Sequence, residues 1–372
     1  MPAFASEIVD GVRAAGNVWK LPRGQIVLPK VFGFCRGVNR ALNCLAEAVA
    51  ARRHRGGRLF LLGQIIHNPW VNEYFQRRGV RILSGEQLDR LEQFIAPGDC
   101  AVIPAFGVPL PVEQRLRAIG CEIVDTSCGD VRRLWAWAGR AARDGYGVFI
   151  FGRADHDETV VTKSRLAAVG GRYVVADSLD RTRTFCDLVA GAKDARSFRR
   201  QFDGHSTNAE TLGPFERLAQ VSQTTMLYDE TIAVRELLRA AYAERFGPGG
   251  PDERLLFQPT VCRATKARQA AAVECCQLGC DLVIVVGGFG SSNTRHLYEL
   301  ARTYAPAWLI ESARAIRSAD ELETMDFVRG APTVAGDWLP QRRPLRICVL
   351  AGASSPEIVV GEVLQRLSEF LS

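Results

Sequence analysis

Three times in this chain an apolar run breaks at a cysteine and a helical pattern begins: Phe34-Cys35-Arg36-Gly37-Val38, Thr126-Ser127-Cys128-Gly129-Asp130 and Thr260-Val261-Cys262-Arg263-Ala264. After Cys35, the residues Val38, Ala41, Leu42, Leu45, Ala48 and Val49 mark one helix face at three- and four-residue spacing, and Val131, Leu134, Trp135 and Ala138 do so after Cys128. Short apolar runs lie between: 25–31, 59–62, 101–104, 122–125, 148–151, 282–286 and 347–350. Strands that alternate with helices in this way need covering on both faces, so the chain is predicted to be α/β, with small parallel sheets and ligands at the carboxyl ends of the strands.

The same punctuation predicts the organisation of the 372 residues. Residues 1–24 form an N-terminal extension. Three α/β units follow, 25–127 with Cys35, 128–258 with Cys128 and 259–344 with Cys262, and 345–372 add a closing strand, loop and helix. The polar stretch 194–216 interrupts the second unit and reads as an insertion or lid-like excursion. A linker signal, Phe246-Gly-Pro-Gly-Gly-Pro251, precedes the third unit.

Composition excludes several classes. No apolar stretch approaches the ~20 residues of a membrane span. The N-terminus carries Glu7 and Asp10, lacks a long apolar core and is poor in serine, so a cytoplasmic setting is expected ahead of secretion or plastid import. The net charge of +6 comes from scattered arginines rather than a stripe, which argues against nucleic acid and suits a small acidic substrate. Eleven cysteines are an odd number without a regular framework, so reduced thiols are expected. Cys44, Cys100, Cys121, Cys186 and Cys348 lie in apolar runs and read as small hydrophobes, and Cys275, Cys276 and Cys280 read as packing of an Ala-rich helix.

A thiolate at a helix start is stabilised by unpaired N–H groups and the helix dipole, which makes Cys35, Cys128 and Cys262 candidate metal ligands. Spacing alone favours the plainer reading of helix-capping or core cysteines, and neighbouring motifs shift the balance. The 148–151 run ends in Gly152-Arg-Ala-Asp-His156-Asp-Glu158, an imidazole and a carboxylate suited to binding an anion and moving protons. His67-Asn68 follows 59–62 in a similar position. Ser291-Ser292-Asn293 and Gly352-Ala353-Ser354-Ser355-Pro356 each open a helix after a turn, supplying hydroxyls and an amide for a phosphate or diphosphate, and Gln223-Thr224-Thr225 adds two hydroxyls. Neither a Walker A sequence nor GxGxxG occurs, so nucleotide binding through those loops is not supported.

Taken in order, Gly33-Phe-Cys-Arg-Gly-Val38, Ile66-His-Asn68, Asp125-Thr-Ser-Cys128, His156-Asp-Glu158, Gln223-Thr-Thr225, Cys262-Arg-Ala-Thr265 with Arg268-Gln269, Ser291-Ser-Asn293 and Gly352-Ala-Ser-Ser-Pro356 resemble the 4-hydroxy-3-methylbut-2-enyl diphosphate reductase family over nearly the whole chain. The resemblance implies a trefoil-like arrangement of three α/β units around one 4Fe-4S cluster with three cysteine ligands, Cys35, Cys128 and Cys262. It implies that the open iron takes the allylic hydroxyl of the substrate, that Glu158 relays protons and that Thr224 bonds near that hydroxyl. By the same resemblance His67, His156, Ser291, Ser292, Asn293 and Ser354 hold the diphosphate, and a ferredoxin or flavodoxin supplies electrons. Isopentenyl and dimethylallyl diphosphate would be the products of this last step of the non-mevalonate isoprenoid pathway.

Three positions depart from the common pattern. Phe106 stands where many bacterial members carry a histidine, as in the plant and cyanobacterial branch, and Arg153 or Lys163 is expected to replace the lost charge. Gly129 stands where the family usually has proline, which is expected to loosen the helix start after Cys128. Arg263 follows the third cysteine and is expected to raise the potential of the cluster. Two other functions fit parts of the pattern: an iron-sulfur hydratase or dehydratase that needs no reductant, and a redox or iron sensor that has no use for a substrate-shaped polar pocket.

Overall fold

A computed structural model describes residues 2–342 and 344–372. The chain divides into two compact units, one of Met1–Val49, Gln64–Val80 and Arg263–Ser372, the other of Ala50–Gly63 and Arg81–Cys262. Both are α/β with small, mostly parallel sheets, the class read from the alternating runs.

In the first unit, five strands lie in the order Val18–Leu21, Gly24–Val27, Leu345–Ala351, Leu282–Val286, Ala307–Ile310. The first pair is an antiparallel hairpin and every later pairing is parallel. Alternate residues of the central strands serve two cores. Leu282, Ile284, Val286, Ile347 and Val349 face the N-terminal helix Glu7–Ala14 and the C-terminal helix Glu357–Ser368, through Val9, Val12, Val360 and Leu364. Val283, Val285, Cys348 and Leu350 face helices Arg263–Gln277 and Ser292–Ala301, through Ala272, Cys275, Leu297 and Tyr298. The strand before Cys35 therefore pairs with Leu345–Ala351, far away in sequence, and residues 1–24 supply an edge strand and a packed helix. Gly24 permits this pairing, since a Cβ there would collide with the backbone of Leu345. The run at 25–31 stops being strand at Val27, where Leu28 donates its N–H to the Asn17 carbonyl and Pro29 follows.

The second unit carries two four-stranded sheets. One has the order Val80–Leu83, Leu59–Leu62, Cys100–Ile103, Glu122–Asp125, with its last three strands parallel. The other has Leu255–Phe257, Leu218–Ser222, Gly147–Phe151 and Tyr173–Ala176, parallel throughout.

The stretch 194–216 is not lid-like. Phe198, Phe202 and Phe215 are buried with Phe149 and Phe185 in one core. The Ser206 carbonyl accepts the Val175 N–H at 2.8 Å and Thr207 bridges Val174, so the stretch closes the exposed edge of strand Tyr173–Ala176. Burial of three aromatic rings drives this docking, and an excursion free to open would leave them in water.

One expectation about the thiols is corrected as well. Cys275, on helix Arg263–Gln277, and Cys348, on strand Leu345–Ala351, are joined by a disulfide with Cα atoms 6.8 Å apart. The two residues share one buried layer, which the sequence could not reveal because 73 positions separate them. Among the described residues no helix is long and apolar enough to cross a membrane.

Candidate active site

Helix Asp157–Ala167 begins just beyond strand Gly147–Phe151, so its first turn sits at the carboxyl end of a parallel strand. His156 is the N-cap, and its Nδ1 accepts the Glu158 N–H at 3.2 Å. That bond leaves Nε2 as the protonated nitrogen of the neutral ring, a donor for an anion.

Glu158 is 3% exposed, yet it is a carboxyl group. Its Oε1 accepts the Thr224 backbone N–H and its Oε2 the Thr224 hydroxyl, each at 2.6 Å. Burial pushes the carboxyl up to about 7; the two bonds from Thr224 pull it down without winning, and the charge of Asp130 adds to the rise. The outcome is an acid that can hold or release its proton near neutral pH.

Thr224 is held in turn by its neighbours. The Gln223 N–H donates to the Phe151 carbonyl at 2.8 Å, Gln223 Oε1 accepts from the Arg153 N–H at 3.1 Å, and Gln223 Nε2 donates to Thr225 Oγ1 at 2.7 Å. The Thr224 carbonyl accepts the Cys262 N–H at 3.0 Å, which ties that cysteine to the same strand end as the acid. Cys128 caps helix Gly129–Arg143 and donates its N–H to the Ala105 carbonyl at 2.7 Å.

The first unit gathers a second group of residues, all neutral. Ser291 caps helix Ser292–Ala301, and its Oγ accepts from the Thr294 hydroxyl at 2.9 Å and the Ser354 hydroxyl at 3.2 Å. Asn293 Oδ1 accepts the Ala353 N–H at 2.9 Å, while Nδ2 of the same amide is buried and makes no hydrogen bond. A buried donor left over in this way costs about 1–3 kcal/mol, a cost that an anionic ligand would remove. The turn at Gly287-Gly288 brings His67 close: a Cβ on Gly288 would run into the His67 carbonyl, and one on Gly287 into the Ser355 and Thr294 hydroxyls. Cys35 joins this group through its N–H, which donates to the Ala353 carbonyl at 3.3 Å. The structure thus brings Ser291, Asn293, Ser354 and His67 together in one unit, and Glu158, Thr224 and His156 together in the other.

Several contributors have roles that the sequence reading did not give them. Thr294, fully buried, is the hub that orients Ser291. Arg268, buried inside helix Arg263–Gln277, donates Nε and Nη2 to the Gly33 carbonyl at 3.1 and 2.6 Å and so fixes the turn before Cys35. Glu311 accepts the Phe289 N–H at 2.8 Å and holds the glycine turn before Ser291. Glu311 alone carried a local signal, as a carboxylate directly after the apolar strand Ala307–Ile310. The cations expected to replace the missing histidine charge are already committed: Arg153 pairs with Asp155 at 2.7 Å, and Lys163 Nζ donates to the Ala154 and His205 carbonyls at 2.8 and 3.0 Å.

Among the described residues no three His, Cys, Asp or Glu side chains form a group that could hold a metal ion. Cys35 lies in one unit and Cys128 and Cys262 in the other. Each of the three is half-buried, outside any disulfide, and directly precedes a helix, where free N–H groups favour a thiolate; the Val38 N–H already points at Cys35 Sγ at 3.4 Å. The donor set fits the thiolate ligation of iron-sulfur chemistry.

These features define an α/β protein that presents a buried acid and a neutral cluster of hydroxyls and an amide at the carboxyl ends of parallel strands. The chain belongs to the LytB protein family, whose model matches residues 26–368. It is 33% identical over 369 residues to a 4-hydroxy-3-methylbut-2-enyl diphosphate reductase of Thermosynechococcus vestitus, covering 98% of this chain and 89% of the relative. The reductase of the same name from Gloeobacter violaceus is also 33% identical, over 376 residues, with 98% and 88% covered. Among solved structures, that of (E)-4-hydroxy-3-methyl-but-2-enyl diphosphate reductase, the terminal enzyme of the non-mevalonate pathway, matches with a TM-score of 0.56 and 26% identity over 92% of this chain and 99% of that one. The Plasmodium falciparum E-1-hydroxy-2-methyl-but-2-enyl-4-diphosphate reductase shares the fold, with a TM-score of 0.66 at 18% identity over 92% and 87% of the two chains.

Proposed function

We propose that this chain is an oxidoreductase that converts 4-hydroxy-3-methylbut-2-enyl diphosphate into isopentenyl and dimethylallyl diphosphate, the last step of the non-mevalonate isoprenoid pathway. The reaction takes two electrons and two protons and expels the allylic hydroxyl as water. The observation that carries this reading is the buried Glu158 carboxyl on its two 2.6 Å bonds from Thr224, because expelling hydroxide needs an acid beside it.

Cys35, Cys128 and Cys262 would hold one 4Fe-4S cluster, which when bound supplies the electrons and a Lewis-acidic iron; the trefoil-like grouping of α/β units around it belongs to the same proposal. Glu158 delivers a proton from its carboxyl oxygen, and the Thr224 hydroxyl, hydrogen-bonded to Oε2, keeps that oxygen aimed and passes the proton on. The imidazoles of His67 and His156 donate to the diphosphate. Ser291, Ser292 and Ser354 add hydroxyl donors, and Asn293 adds the Nδ2 donor that otherwise stays unpaired. Because none of these donors is a lysine or an arginine, they bind the anion through orientation rather than bulk charge. A small acidic ferredoxin or flavodoxin is the electron donor, steered by the net positive charge of the chain, and the reduced cytoplasm is the setting.

The test is anaerobic reconstitution with iron and sulfide, followed by turnover of 4-hydroxy-3-methylbut-2-enyl diphosphate with and without a chemical reductant. Both diphosphate products should form only with reductant. Turnover without it would make the chain a dehydratase, and a formed cluster without turnover would return it to a sensor.

A further inference from the structure

A second cluster of sulfur lies away from the three proposed ligands. Cys275, Cys276 and Cys280 occupy the end of helix Arg263–Gln277 and the turn after it, and Cys348 lies opposite on strand Leu345–Ala351. The Cys275–Cys348 disulfide joins the helix that starts directly after Cys262 to the strand that leads into Gly352–Ser354. Both ends are buried, but Cys275 also contributes to the wall of an open cavity of about 400 Å³, lined also by Val27, Leu278 and Arg346 and by the exposed ion pair of Lys30 with Glu274. Arg346 also acts on the Cys280 thiol, which its charge and a hydrogen bond with the Cys276 thiol draw toward the thiolate. A cavity with apolar walls and two cations against one carboxylate, with one cysteine of a disulfide in its lining, is the environment in which an incoming thiolate is stabilised and attacks.

We propose that Cys275–Cys348 is a thiol–disulfide exchange site, entered through this cavity by a small dithiol. The thiolate of the dithiol attacks Cys275 Sγ, the bond to Cys348 breaks and Cys348 leaves as a thiolate that takes up a proton. The second thiol of the reagent then attacks its own mixed-disulfide sulfur, releases Cys275 as a thiol and departs as a cyclic disulfide. Two electrons pass to the protein and the dithiol is oxidised; the reverse reaction closes the bond. Reduction unties the Arg263–Gln277 helix from the strand that supports Ser354, without touching either end of the proposed catalytic set.

The reconstituted full chain is equilibrated anaerobically across ratios of reduced to oxidised dithiothreitol, quenched with an alkylating agent and digested. Cys275 and Cys348 should become alkylated together, at one two-electron midpoint, and the cross-linked peptide pair holding them should vanish in parallel. Reduction should lower Tm by roughly 5 °C or more, because a long loop is released. A Cys276→Ala, Cys280→Ala double variant should keep the cross-linked pair and the midpoint, while Cys348→Ser abolishes both. The proposal is overturned if the two thiols are fully alkylated even at the most oxidising ratio. It is equally overturned if the bond survives the most reducing ratio in the folded protein, or if the double variant loses the cross-link.

Discussion

The acid group of the second unit and the anion cradle of the first solve opposite electrostatic problems. Glu158 is an ionisable group buried to the point where its charged form is disfavoured, and Thr224 donates to both of its oxygens. The cradle has no ionised group among Ser291, Asn293 and Ser354; the Ser354 hydroxyl donates to Ser291, the Asn293 carbonyl accepts from the Ala353 N–H, and the Asn293 amide leaves one buried donor over. One region stores a proton and the other stores an unmet hydrogen bond. Catalytic power and ligand affinity should therefore separate cleanly between the two.

The largest expected effect is on Glu158. Glu158→Gln keeps the shape and removes the transferable proton, so kcat should fall about 10²–10⁴-fold while KM changes little and the cluster absorbance is retained. A variant that keeps a tenth of wild-type kcat would remove proton delivery from this side chain. The same group sets a pH dependence of stability. Its carboxyl titrates near 7 in the folded chain against 4.5 when unperturbed. Between those values the folded state binds more protons than the unfolded one, so stability should fall as pH rises from 4.5 to 7 and then level off. The total is on the order of 3 kcal/mol. Thermal melts of the cluster-free protein from pH 5 to 8 should show this slope, and Glu158→Gln should flatten it.

The cradle should respond in binding instead. Asn293→Ala removes a buried unsatisfied donor and the Ala353 contact, and should raise KM for the diphosphate about 10–100-fold with kcat nearly intact. A loss concentrated in kcat would erase the division between the two regions.

The smallest effect tests two cysteine helix starts against each other. The turn before Cys35 is clamped by buried Arg268 on the Gly33 carbonyl. The start after Cys128 rests on Gly129, where an added Cβ would meet nothing within 4 Å. Cys128 already has the extended backbone, φ −64 and ψ 140, that precedes a proline. Gly129→Pro should therefore stabilise the chain by about 0.5–1 kcal/mol, visible as a small rise in Tm, with the cluster still forming.

Much of this was legible in the sequence because it depends on local pattern. The strands at 59–62, 122–125 and 282–286 have the expected bounds, since a short apolar run between turn residues has few other uses. Glu158, His156, Ser291 and Ser354 were visible as polar residues at strand-to-helix junctions. What stayed hidden depends on partners distant in the chain. Phe198, Phe202 and Phe215 sit among charged residues with no period, so their common burial was invisible until the strand they cover was in place. Cys275 read as packing on an Ala-rich helix because its partner lies on another strand. Thr294 carries no local mark of its role, although two glycines, Gly287 and Gly352, make room for its side chain.

The pairing of Gly24–Val27 with Leu345–Ala351 has a consequence for how the protein comes into being. The sheet that carries the cradle cannot close while the ribosome is still translating the middle of the message, because its second strand must wait for one made more than three hundred codons later. The second unit is continuous over 81–262 and can condense first. The Cys35 turn, braced by Ala353, is set only near the end of synthesis. Loading of the proposed cluster would thereby follow translation, and a stalled or truncated chain never acquires the brace on its first proposed ligand.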